Sequence, residues 1–98
     1  MSSSAIEIIL PAATNVVVTD DSLTVDLSDG RSISVPLAWY PRLVHASQNE
    51  RTRWRLIGRG EGIHWPELDE DISVGALIAG KPSGESQQSL AKWLQSRG

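Results

Sequence analysis

Residues 62–80 read Gly62-Ile63-His64-Trp65-Pro66-Glu67-Leu68-Asp69-Glu70-Asp71-Ile72-Ser73-Val74-Gly75-Ala76-Leu77-Ile78-Ala79-Gly80. The run Ile63-His64-Trp65 stops at a proline and reads as a strand. Carboxylates at Glu67, Asp69, Glu70 and Asp71 then make an acidic connection. Ser73 or Asp71 can cap a helix over residues 73–79, whose Val74, Leu77 and Ile78 fall at i, i+3 and i+4, and Gly80 with Pro82 beyond it marks the end. A strand leading into a short, punctuated helix indicates a mixed fold.

On the N-terminal side, Gly58-Arg59-Gly60-Glu61-Gly62 reads as a turn. Ahead of it Trp54 and Leu56 alternate with Arg53, Arg55 and Ile57, which predicts a hairpin over residues 53–65. Pro41 can open a short helix over 41–47 carrying Leu43, Val44 and Ala46. Residues 15–36 alternate with a period of two. Val16 and Val18 come into phase with Leu23, Val25 and Leu27 if Asp20-Asp21 forms a two-residue turn. A two-residue Asp29-Gly30 loop would then put apolar and polar side chains on one face. A three-residue loop, Ser28-Asp29-Gly30, instead sets Leu27 opposite Arg31, Val25 opposite Ile33 and Leu23 opposite Val35, with Gly30 at positive φ. Pro36 closes this meander. On the C-terminal side a helix over 86–97 carries the stripe Leu90, Trp93 and Leu94, with Lys92 and Arg97 suited to its negative end. The expectation is an α+β domain over residues 1–98: an antiparallel sheet of about five strands with two or three short helices packed on one side.

The chain has 98 residues, enough for one thin core, and its charge of −3 argues against a dedicated nucleic-acid binder. Having no cysteine, it holds neither a disulfide framework nor a thiolate metal site nor a cysteine nucleophile, which suits a reducing cytoplasm. The N-terminal segment 1–14 lacks a basic n-region, and Glu7 interrupts its apolar run, so no signal peptide and no membrane attachment are expected.

Catalytic chemistry finds little to work with. His45 and His64 are far apart in sequence and neither has an i+4 ligand partner, so both read as partly exposed or hydrogen-bonded side chains. Asp69, Glu70 and Asp71 lack the ligand spacing of a calcium loop and read as a solvated helix start. Gly58, Gly60 and Gly62 precede a strand, not the helix a phosphate loop requires. No serine sits in a nucleophile motif. No catalytic residue, metal or cofactor is therefore assigned, and the chain reads as a non-enzyme. A small enzyme centred on His64 is a third reading.

Charge separation is the sharper feature. Arg42, Arg51, Arg53, Arg55 and Arg59 face only Glu50 within residues 42–60, whereas residues 61–71 hold five carboxylates and no lysine or arginine. Arg53 and Arg55, on the face opposite Trp54 and Leu56, would form a guanidinium row for a partner's carboxylates or for phosphates. Trp39 and Tyr40, between Pro36 and Pro41, are the expected exposed aromatic pair. The candidate partner-binding residues are thus Trp39, Tyr40, Arg51, Arg53, Arg55 and Arg59.

The segments Leu23-Thr24-Val25-Asp26-Leu27-Ser28-Asp29-Gly30-Arg31, Trp65-Pro66-Glu67-Leu68-Asp69-Glu70-Asp71-Ile72-Ser73-Val74 and Leu77-Ile78-Ala79-Gly80-Lys81-Pro82-Ser83, followed by the tail from Glu85 to Trp93, occur in that order. In this the chain resembles the bacterial domain of unknown function 2442. The resemblance implies a small α+β protein encoded beside another small protein, in pairs suspected to be toxin and antitoxin. Some members resemble this domain joined to a helix-turn-helix, for which this chain shows no segment, so a direct promoter role is not expected. The resemblance supplies no catalytic residues. The functional expectation is a protein-interaction module, the antitoxin-like or regulatory member of a two-gene pair, with a small co-encoded partner or a second copy bound. The alternative is a nucleic-acid-binding accessory protein using the arginines.

Overall fold

The structure is a computed structural model that describes residues 9–97. The first eight residues of the 1–14 segment, on which the signal-peptide reading rests, lie outside the described residues, as does Gly98.

Strands β1 (Ala13–Val18), β2 (Ser22–Leu27) and β3 (Ser32–Pro36) form an antiparallel meander in that order. Val16 pairs with Val25 and Val18 with Leu23, and the Thr19 amide donates to the Ser22 carbonyl at 2.9 Å around Asp20-Asp21. The second turn has the three-residue loop that the alternation predicts. The Leu27 amide donates to the Arg31 carbonyl at 2.8 Å, Gly30 sits at φ 92°, Val25 pairs with Ile33 and Leu23 with Val35. β1 starts at Ala13, ahead of the alternation. A register irregularity between Ala13 and Asn15 lets Ala13 and Val16, three positions apart, both face the core.

A 3-10 turn (Leu37–Trp39) leads into α1 (Pro41–Val44), which is shorter than the 41–47 expected, and then α2 (Gln48–Arg51). The second helix is not foreshadowed by the hydrophobic pattern. A capping box makes it: Ser47 Oγ accepts from the Glu50 amide at 3.1 Å, and the Glu50 carboxylate accepts from the Ser47 amide at 2.8 Å.

The second half departs more from expectation. β4 (Arg55–Ile57), β5 (Gly62–Trp65) and β6 (Glu70–Ser73) make a second three-stranded antiparallel sheet. Arg53 and Trp54 lie outside the hairpin. The acidic connection is partly strand: Ile72 pairs with Ile63 and Glu70 with Trp65, so the described residues hold six strands in two sheets. Helix α3 (Val74–Ala79) is capped by Ser73, whose Oγ accepts from the Ala76 amide, and it ends at left-handed Gly80. Of its expected apolar stripe, Val74 and Leu77 are buried while Ile78 is exposed. Helix α4 (Gln87–Arg97) buries no residue fully.

One hydrophobic cluster joins both sheets, with Leu23, Val25, Leu37, Leu43, Ile63, Trp65 and Leu68 almost wholly enclosed. The sheets meet at Gly60, whose carbonyl accepts from the Ala13 amide at 2.8 Å. No helix among the described residues is long and apolar enough to cross a membrane.

Candidate functional site

The six residues singled out for partner binding do not assemble into one surface. Arg51 is buried at the C-terminal end of α2. Its guanidinium donates to the carbonyls of Leu43 at 2.9 Å and Val44 at 3.2 Å, to Asp20 at 2.7 Å and to Gln48 at 3.2 Å. Its own carbonyl accepts from the Trp65 indole at 3.1 Å. A buried guanidinium needs such a set of acceptors, and the end of α1 brings two carbonyls within its reach. Arg51 is therefore a structural cross-link and not a surface cation.

Tyr40 is likewise corrected from exposed to buried, since it precedes Pro41 at the start of α1 and drops into the core beside Leu43. Its hydroxyl and Glu70 Oε2 are the buried side-chain polar atoms without a hydrogen-bond partner among the described residues. Burial pushes the Glu70 carboxyl up to about 7, against the pull of Arg42. Burial also raises the Tyr40 hydroxyl, and the nearby Glu70 charge adds to that. Trp39 is half-buried against the core.

Arg53 is exposed, yet it grips Glu67 through two hydrogen bonds at 2.9 and 3.1 Å. Arg42 is held by Glu85 and by the carbonyls of Leu68 and Asp69, and its carboxylate contact with Asp69 at 3.9 Å, with the Arg53–Glu67 pair, partly neutralises the two charge blocks. Arg55 and Arg59 are exposed, and neither guanidinium makes a hydrogen bond or ion pair within the described residues. The expected row of arginines thus reduces to these two cations, one at each end of β4 and its turn.

Between them lies the feature that the sequence reading missed. Among the described residues β4 is the outer strand of its sheet, paired on one side only, and Arg55, Leu56 and Ile57 are all exposed. Leu56 retains 37% of its surface and Ile57 41%. Leu56 opposes buried Ile63 on the core face, but the edge position leaves its flank open. An outer strand offers unpaired backbone donors and acceptors that another chain can pair with, and here two aliphatic side chains accompany them.

The family model described as Protein of unknown function (DUF2442) matches residues 13–83, from the first residue of β1 to just past α3. The chain belongs to this family. Helix α4 lies outside the matched range. Among solved structures, a protein of unknown function from Rhodospirillum rubrum is similar with a TM-score of 0.67 and 27% identity, over 81% of this chain and 98% of that one. An uncharacterized protein from Chromobacterium violaceum, solved by NMR, is similar with a TM-score of 0.63 over 83% of this chain and 74% of that one. At 17% identity the second likeness shows the fold alone. No curated protein matches the chain.

Proposed function

We propose that this DUF2442 chain is a cytoplasmic, non-enzymatic protein-interaction module, the antitoxin-like or regulatory member of a two-gene pair. The observation that supports this reading is the outer strand β4, with Leu56 and Ile57 exposed on it and the uncommitted Arg55 and Arg59 at its ends. A partner strand would add to β4 through backbone hydrogen bonds, while carboxylates on that partner would meet the two arginines. Nucleic-acid binding is the lesser reading, because the guanidiniums of Arg42, Arg51 and Arg53 are already spent on internal carboxylates and carbonyls.

The test is co-expression with the product of the adjacent gene, followed by capture and titration. Leu56→Lys should abolish capture while leaving the fold intact, because a lysine on an edge strand opposes strand addition. Equal capture by wild-type and variant would remove β4 from the account. Pairing of β4 with a second copy would instead appear as a dimer in sedimentation that the same variant dissociates. Tight binding of mixed-sequence DNA or RNA that weakens steeply with salt would favour the nucleic-acid reading.

A further inference from the structure

Arg55, His64 and Asp71 form a row across three strands. Arg55 of β4 is the register partner of His64 of β5, and His64 is the partner of Asp71 of β6. Directly opposed residues on an antiparallel pair carry their side chains on the same face, about 5 Å apart at Cβ. The three therefore stand side by side. Together with Leu56, Ile57 and Gly58 they line a groove of about 430 Å³.

The groups in the row have distinct roles. Asp71 accepts from His64 Nδ1, which orients the ring and fixes its tautomer, leaving Nε2 as the nitrogen free for a ligand. Arg55 has no partner within the described residues, so its fork of donors is open. Glu61, in the turn that follows β4, is directed onto the backbone of that turn, accepting from the Arg59 amide at 2.7 Å. A guanidinium beside an oriented imidazole suits a tetrahedral oxyanion: the fork grips two oxygens, and Nε2 accepts from a protonated third oxygen or, when the ring is charged, donates to it.

We infer that the row Arg55–His64–Asp71 is a binding site for a phosphate group, free or carried on a small molecule. Exposed Ile57, two positions along β4 and therefore on the same face as Arg55, offers an apolar wall for an organic substituent. This site shares Arg55 and Ile57 with the docking edge but needs no partner, so it stands if that reading fails.

The test follows the ring Cε1–Hε1 signals of His64 and His45 by NMR while inorganic phosphate, a nucleoside monophosphate and a sugar phosphate are added in turn. The His64 signal should move to saturation in the millimolar range while His45 stays still. Arg55→Gln should weaken the midpoint about tenfold, the loss of one charge-assisted contact, and Arg59→Gln should leave it unchanged. His64→Gln, checked for an unchanged amide spectrum, should abolish the broadening of the ³¹P line. A stronger response to the monophosphate than to free phosphate would bring Ile57 into the site, and an equal one would assign the phosphate group alone. Movement without saturation, parallel movement of both histidines, or equal loss in the Arg55 and Arg59 variants would overturn the inference.

Discussion

A methyl group at Gly60 would stand 2.7 Å from the Ala13 carbonyl oxygen and 2.8 Å from Ala12 Cβ, on a backbone at φ 95°. The glycine run that reads as a hairpin turn is thus also the seam where the two sheets touch. Gly60→Ala should cost on the order of 2–3 kcal/mol, since it combines a left-handed backbone with a close contact that only main-chain movement relieves. Chemical denaturation measures this, and a loss below about 0.5 kcal/mol would show that the seam gives freely. Glu70 carries a second residue-scale consequence. Its carboxyl lies at about 7 against an ordinary 4.5, so the folded chain holds a proton there that the unfolded chain releases. The stability this contributes is complete below about 4.5 and lost as pH rises through 7. Glu70→Gln removes the titration, so the variant should gain thermal stability over wild-type at pH 8 and little at pH 5. A gap that does not change with pH would contradict the burial of that charge. None of this was legible beforehand, because a carboxylate in an acidic stretch looks solvated until Tyr40 is known to lie beneath it.

Elements differ in how openly the sequence announces them. The meander is legible since three strands share one period and only one loop length keeps their apolar residues in phase. β6 is hidden because Glu70, Asp71 and Ser73 are polar, leaving Ile72 as the whole of its alternation. It forms because β5 needs a second partner and Ile72 completes the cover of Ile63. Helix α2 was readable from Ser47-Gln48-Asn49-Glu50, a capping-box signal that a search for hydrophobic periodicity overlooks. The candidate site was the least legible part. Whether an arginine is buried like Arg51 or free like Arg55 depends on which carbonyls surround it, and the stretch from Arg42 to Gly60 does not encode that locally. Helix α4 is held by polar contacts more than by burial. Arg97 bonds Glu50 at 2.7 Å, and Trp93 lies beneath Arg97 at 4.5 Å and Arg42 at 5.2 Å. The Arg97 hydrogen bond, aided by the capping bond from Ser47, holds the Glu50 carboxyl down to about 2. That contribution is present above about 4.5 and disappears as pH falls toward 2. Glu50→Gln keeps the capping box and removes only the ion pair. Amide exchange in α4 should then accelerate while global stability falls by less than about 1 kcal/mol. Unchanged exchange in α4 would show that Trp93 alone secures it.

For the molecule as a whole, two small sheets share one core, and the meander half was more predictable than the half that carries the open edge. In the meander, one face is buried and the alternation is long; in the second sheet, strands of three or four residues carry charge on the outer face and too few apolar positions to declare themselves. The same shortness gives the second sheet its surface chemistry. β4 stays exposed because α1 to α4 and the meander pack elsewhere, and Arg55, Leu56 and Ile57 remain uncovered. Amide hydrogen exchange of the chain with and without the adjacent gene product tests that assignment most directly. The account predicts that protection on binding appears in Arg55, Leu56 and Ile57 and is absent in Leu56→Lys. Protection confined to the meander or α4, with β4 exchanging as in the free chain, would contradict it.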